Sequence, residues 1–177
     1  MANVLARAGV MLEEVRNAVM AVDPNAVAKL LAAIDAAPAV YFDGRGRSGL
    51  VARALAMRWM HLGLRVYVAG ETVTPAIGAD DLLICLSGSG RTSGPLASAG
   101  IARAQGARVG VLTGDPDSPL AAAADLVVVV PGVERDQQPG SLFDQACLVL
   151  GDAMCGTFQH ASAIPPTALN QRHANLQ

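Results

Sequence analysis

Apolar residues recur at Val4, Leu5, Ala8, Met11, Leu12, Val15, Ala18 and Val19, the spacing of a single helical stripe, which predicts a helix over Asn3 to Met20. Asp23 followed by Pro24 reads as an N-cap and a proline suited to the first helical position. A second helix should run to about Ala36, ended by Pro38. Beyond it, short and mostly apolar runs at Ala39–Phe42, Arg65–Ala69, Leu82–Leu86, Val109–Leu112 and Leu126–Val130 predict five strands. Between them lie helical stretches from Gly49 to about Leu62 and from about Thr92 to Gln105, and Ser118 with Pro119 opens a short helix. Ser141 to about His160 forms a long last helix, and Pro165 and Pro166 break the chain before a polar tail. Apolar strands separated by helices predict a parallel sheet covered on both faces. The expected fold class is therefore α/β: a three-layer α/β/α sandwich on a five-stranded parallel sheet of order 2-1-3-4-5, with the switch point between strands 1 and 3. One domain is expected over residues 1–177, with N-terminal helices in 1–37 and a C-terminal tail in 161–177.

Composition narrows the class. Of 177 residues, 52% are hydrophobic and 16% charged, which excludes disorder. With one Trp, two Tyr and three Phe, the core must be built mainly from aliphatic side chains. A net charge of −2 offers no basic face for nucleic acid. The longest charge-free stretch, 153–171, contains Gln159, His160, Pro165 and Pro166 and suits no membrane span. Arg7, Glu13 and Glu14 interrupt any apolar core of a signal peptide. Cys85, Cys147 and Cys155 form no CxxC pair and lie at no ligand-like spacing from a His, so they read as reduced, buried residues of a cytoplasmic protein that holds no metal through them.

Two glycine-rich segments carry the chemistry. Gly44-Arg45-Gly46-Arg47-Ser48-Gly49 follows strand 1, and Ser87-Gly88-Ser89-Gly90-Arg91-Thr92 follows strand 3. In the expected order both open helices beside one crevice at the carboxyl edge of the sheet. Backbone N–H groups at a helix start favour an anion, Ser48, Ser87, Ser89 and Thr92 add hydroxyl donors, and Arg47 and Arg91 add charge. The implied guest is a phosphate on a small molecule. Ser, Thr and Gly are also ordinary turn and cap residues, although two such loops at adjacent strand ends are harder to explain in that way. Gly44-x-Gly46-x-x-Gly49, with Glu71 near the end of strand 2, also matches a dinucleotide fingerprint. However, the chain leaves no room for a catalytic partner domain, and Lys29 is its only lysine.

The Ser87–Thr92 loop resembles the phosphosugar loop of SIS (sugar isomerase) domains. More narrowly, the chain resembles the 6-phospho-3-hexuloisomerases. The similarity rests on Gly46–Gly49, Arg58–Gly63, Glu71–Pro75, the Ser-Gly-Ser-Gly loop, Leu112–Gly114 with Ser118–Leu120, Gly140–Asp144 and Arg172–Leu176. It implies reversible conversion of D-arabino-hex-3-ulose 6-phosphate to fructose 6-phosphate in the ribulose monophosphate route of formaldehyde fixation, without a cofactor. It also implies a homotetramer with sites near subunit boundaries. The family commonly carries Glu, as proton acceptor, where this chain has Asp144, and often one more residue between Pro139 and Gly140. Many SIS domains have Glu where Arg91 stands. Another phosphosugar isomerase and a non-catalytic sugar-phosphate-binding SIS protein remain as alternative readings.

Moving a carbonyl from C3 to C2 needs a base that removes the C2 proton, passes through a 2,3-enediol and returns a proton to C3. Asp144 is the candidate base. Ser141-x-x-Asp144 also fits a capping box at the start of the last helix. His61, near the end of the helix after the first loop, reads either as an imidazolium favoured by the helix C-terminus or as acid–base help, including across a subunit boundary. His173 lies in the tail, which the resemblance implies is docked at a subunit interface. The substrate-binding set comprises Arg47, Ser48, Ser87, Gly88, Ser89, Gly90, Arg91 and Thr92. Tyr41, Phe42 and Trp59 are expected in the core or an interface. Met57 and Met60 are expected to pack along their helix.

Overall fold

The computed structural model describes residues 3–132 and 137–176. In chain order its elements are α1 (Val4–Met20), α2 (Pro24–Ala36), β1 (Val40–Gly44), α3 (Gly46–His61), β2 (Val66–Val68), β3 (Leu82–Leu86), α4 (Ser93–Ala104), β4 (Arg108–Thr113), α5 (Pro119–Ala122), β5 (Leu126–Val129), α6 (Ser141–Ala161) and α7 (Pro166–Gln171). The five strands form one parallel sheet of order β2-β1-β3-β4-β5, as the alternation of apolar runs and helices predicts.

Both sheet faces are buried, and the pleat divides the core. Val40 and Phe42 of β1 point to the face covered by α1, α2, α3 and α6, where Leu30, Ile34, Leu55, Trp59, Leu150 and Met154 pack. Tyr41, Leu83, Cys85, Val109 and Val111 point to the other face, against Ala99 and Ala102 of α4 and Leu120 of α5. Tyr41, Phe42 and Trp59 are thus core residues. Met57 and Met60 differ from expectation: both are exposed on the outer side of α3, because Leu55, Ala56 and Trp59 take its inward stripe.

Three local differences bear on the site. First, α3 begins at Gly46, three residues before the expected start, so Arg47 and Ser48 sit in its first turn rather than in a loop. This sharp entry requires Gly44 and Gly49. A Cβ on Gly44 would lie 2.8 Å from the Ser48 carbonyl, and one on Gly49 would lie 2.8 Å from the Gly44 oxygen. Second, α6 is capped by Gly140 at φ +83°, with no capping box; Ser141 is its first helical residue and Asp144 turns elsewhere. Third, Pro165-Pro166 does not only break the chain. Pro166 begins the short helix α7, a position where its missing N–H costs nothing.

Candidate active site

Asp144 lies in the first turn of α6, 5% exposed. Its Oδ1 accepts a 2.7 Å hydrogen bond from Ser48 Oγ, and its Oδ2 lies 3.4 Å from Arg47 Nε. The carboxylate therefore faces the start of α3, held by one hydroxyl and one guanidinium. Its charge is felt behind it: burial, and then Asp144, push the Cys147 thiol well above its ordinary range.

The Ser87–Thr92 loop meets the same turn of α6. A Cβ on Gly88 would lie 3.2 Å from the ring of Phe143, the neighbour of Asp144. Ser87 Oγ lies 2.9 Å from Thr92 Oγ1 and accepts from the Gly90 N–H at 3.1 Å, while Ser89 Oγ accepts from the Arg91 N–H at 3.2 Å. Gly114 N–H donates to Gly88 O at 3.0 Å, and Leu120 N–H donates to Gly90 O at 3.1 Å, bracing the loop from β4 and α5. Gly90 has φ +60°, and any Cβ there would collide with Ser118, whose Oγ caps α5 by accepting from the Ala121 N–H. The loop is thus preset, its hydroxyls gathered ahead of α4. A cavity of about 420 Å³ opens beside it, lined by Gly88, Ser89, Asp115, Gly140 and Phe143.

The structure thus brings Arg47, Ser48 and the Ser87–Thr92 loop to the one turn that carries Asp144. Arg91 is placed at the rim, 3.1 Å from Asp115, with a largely exposed side chain. His61 is not part of this cluster. It lies thirteen residues beyond Ser48 on α3, about 20 Å along the helix at 1.5 Å per residue. Its ring is buried and stacks on His173, with centroids 4.2 Å apart at 16°, while Arg172 Nη1 donates to the His61 carbonyl at 3.1 Å. The expected helix-end imidazolium is not favoured. Burial first, then His173 and Arg58, lower the His61 pKa from its ordinary 6.5, so desolvation outweighs the helix dipole. Within the chain the tail packs on the end of α3.

Sequence reasoning passed over Asp43 and Arg45. Asp43 ends β1 with its side chain buried, and Arg45 pairs with it. The available signal was an acid directly after four apolar residues of a strand buried on both faces. Among the described residues no three His, Cys, Asp or Glu side chains gather as a metal set, and no helix is long and apolar enough to cross a membrane.

The SIS domain family model matches residues 33–149, which hold the sheet, both glycine-rich segments and Asp144. The chain belongs to the SIS domain family. Over 173 residues the chain is 44% identical to the 3-hexulose-6-phosphate isomerase of Mycobacterium gastri, covering 93% of this chain and 87% of that one. Over 176 residues it is 33% identical to the 3-hexulose-6-phosphate isomerase of Bacillus subtilis, covering 94% and 95%. A solved structure from Methanococcus jannaschii, for which a 3-hexulose-6-phosphate isomerase function was inferred, superposes with a TM-score of 0.86 at 29% identity, covering 94% and 98%. The glycine spacing after β1 thus belongs to an SIS strand-to-helix turn rather than to a dinucleotide fold.

Proposed function

We propose that the protein interconverts D-arabino-hex-3-ulose 6-phosphate and fructose 6-phosphate, as a 3-hexulose-6-phosphate isomerase. The observation that carries this reading is the buried Asp144 carboxylate at the junction of α3, α6 and the hydroxyl-rich loop. The naming of its relatives as 3-hexulose-6-phosphate isomerases supports the choice of substrate.

In this mechanism Ser87, Ser89, Thr92 and the backbone of Gly88, Gly90 and Arg91 receive the phosphate at the start of α4, where N–H groups and the helix dipole favour negative charge. With that end fixed, the carbon chain reaches towards Asp144. The carboxylate removes the C2 proton, the electron pair forms the C2–C3 double bond, and the C3 carbonyl oxygen becomes the enediolate oxygen. The C2 hydroxyl proton passes to the C3 oxygen, and Asp144 delivers the abstracted proton to C3 as the C2–O bond becomes the carbonyl. Ser48 orients the carboxylate, and Arg47 holds its charge. Aspartate is one methylene shorter than glutamate, so the sugar carbons must come closer to the first turn of α6 than a glutamate there would require. His61 would reach a substrate only from a neighbouring subunit. That fits a homotetramer with sites near subunit boundaries. Exposed Val4, Leu5, Leu12 and Met20 on α1, and Leu50 and Met57 on α3, supply apolar surface for such contacts. Ionic sugar phosphates do not cross membranes unaided, which suits a cytoplasmic setting.

The test is incubation of purified protein with hex-3-ulose 6-phosphate and EDTA, detecting fructose 6-phosphate. Product is expected. No product overturns the isomerase reading, and a requirement for added metal overturns the carboxylate mechanism.

A further inference from the structure

Arg45 caps α3, and its side chain reaches across the end of β1 to the first turn of α4. It is anchored from below. Among the described residues its bonds run through Nη1, to Oδ1 of Asp43 and, at 3.0 Å, to the Gly44 carbonyl. Asp43 is 1% exposed, and its Oδ2 has no partner. A buried carboxylate is costly to keep unless its charge is matched, so Asp43 holds the Nη1 end of Arg45 firmly. The opposite edge of the guanidinium, Nε with Nη2, faces Gly94. A Cβ built on Gly94 would lie 2.5 Å from Nε and 2.9 Å from Nη2. That edge is one of those through which arginine grips phosphate with two parallel hydrogen bonds. Gly94 stands two residues past Thr92, at the N-terminus of a 12-residue helix, and the Arg45 side chain is about half exposed, at 48%.

We propose that Arg45 is a phosphate-gripping residue of the substrate site and that Asp43 is the positioning residue that presents it. This rests on the sugar-phosphate reading above and extends it. Two helix starts and one anchored cation converge where the loop ahead of α4 receives the phosphate. Lacking a Cβ, Gly94 lets the guanidinium lie against the first turn of α4, beside the N–H groups of the helix start. Arg47 and Arg91 are differently committed, to Asp144 and Asp115.

Steady-state kinetics on the full-length chain test this, with four variants. Arg45→Ala should raise KM for hex-3-ulose 6-phosphate about ten- to a hundredfold, the loss expected for a hydrogen-bonded charge pair, with kcat within about threefold. Arg45→Lys should recover part of that loss. Gly94→Ala pushes the guanidinium off the first turn of α4, so it should raise KM at least severalfold, and because it adds helix propensity while disturbing the Asp43 pair its melt should stay within a few degrees of wild type. Asp43→Asn should raise KM, and combining it with Arg45→Ala should add nothing further, because the two act as one unit. Inorganic phosphate, as competitive inhibitor, should lose potency in Arg45→Ala by the same factor as substrate. Unchanged KM and unchanged phosphate inhibition in Arg45→Ala and Gly94→Ala overturn the assignment while wild-type turnover stands. Calorimetric titration with fructose 6-phosphate separates the two readings. Wild-type binding without turnover refutes only the isomerase reading, and the Kd of Arg45→Ala then decides the role of Arg45. A wild type that neither binds nor converts the sugar phosphate overturns both.

Discussion

Replacing Asp144 by Asn removes a charge and a proton acceptor while keeping shape. Asn Oδ1 can still accept from Ser48 Oγ, now 2.7 Å from the carboxylate, so what is lost is the charge assistance of that bond and the contact with Arg47. An ionised acceptor makes a hydrogen bond roughly twice as strong as a neutral one, so the cost in folding is about 1 kcal/mol. For a domain of this size that is about 2–4 °C in Tm. The catalytic cost is different in kind. General-base catalysis contributes about 10²- to 10⁴-fold, or roughly 3–5 kcal/mol of barrier at 1.36 kcal/mol per decade. Asp144→Asn should therefore lower kcat by about two to four orders of magnitude while fructose 6-phosphate still binds. A continuous assay of fructose 6-phosphate formation gives the rate, titration calorimetry gives the binding, and a thermal melt gives the stability. Turnover within about threefold of wild type, in a variant that melts within a few degrees of it, would refute the role of Asp144 as base.

Ser48→Ala removes the hydroxyl that aims the carboxylate, so kcat/KM should fall about 10- to 100-fold, the range of a hydrogen bond to a charged group, with little change in Tm; a fall of less than twofold by the same assay contradicts it. Gly90→Ala places a Cβ at φ +60° and against Ser118, so it should cost about 2 kcal/mol or more, seen as a Tm lowered by about 4 °C or more; an unchanged melt shows that the loop is not preset. Stability should fall with pH through His61. Its folded-state pKa lies below 6.5, so below about pH 6.5 the unfolded chain takes up the proton first, and stability present above that pH is lost as pH falls towards the folded-state value. Between about pH 7.5 and about pH 5.5, the melting temperature of wild type should decline more steeply than that of His61→Phe; parallel curves count against a buried neutral His61.

The sheet was legible because its strands are short, apolar and, β2 and β3 apart, separated by helices, and such strands have few arrangements available. Leu82–Leu86, buried along its whole length, is the clearest case. The neighbouring placement of the two glycine-rich segments was legible, because strands 1 and 3 lie side by side in the order that the apolar runs predict. What periodicity could not show was side-chain direction. Ser141-x-x-Asp144 has the spacing of a capping box, yet Gly140 takes the cap in a left-handed conformation and frees Asp144 to face Ser48. Arg47 and Ser48 fall in a helix because Gly44 and Gly49 allow an abrupt turn, a close approach invisible in a hydropathy pattern. The distance from Ser48 to His61 follows from helical rise alone. The stacking of His61 on His173 does not, since it depends on where the chain returns after α7. Nothing in the pattern sets Arg45 apart from its neighbours, because its pairing with Asp43 depends on how the chain turns after β1.

If both glycine-rich segments and the first turn of α6 form one substrate site, a crystal structure of the protein with fructose 6-phosphate will show all three around the ligand. The phosphate should lie within hydrogen-bond reach of Ser87, Ser89 and Thr92, with an Asp144 carboxylate oxygen about 3–3.5 Å from C2 or C3. A phosphate out of reach of that loop, or a sugar chain pointing away from Asp144, would refute the single site.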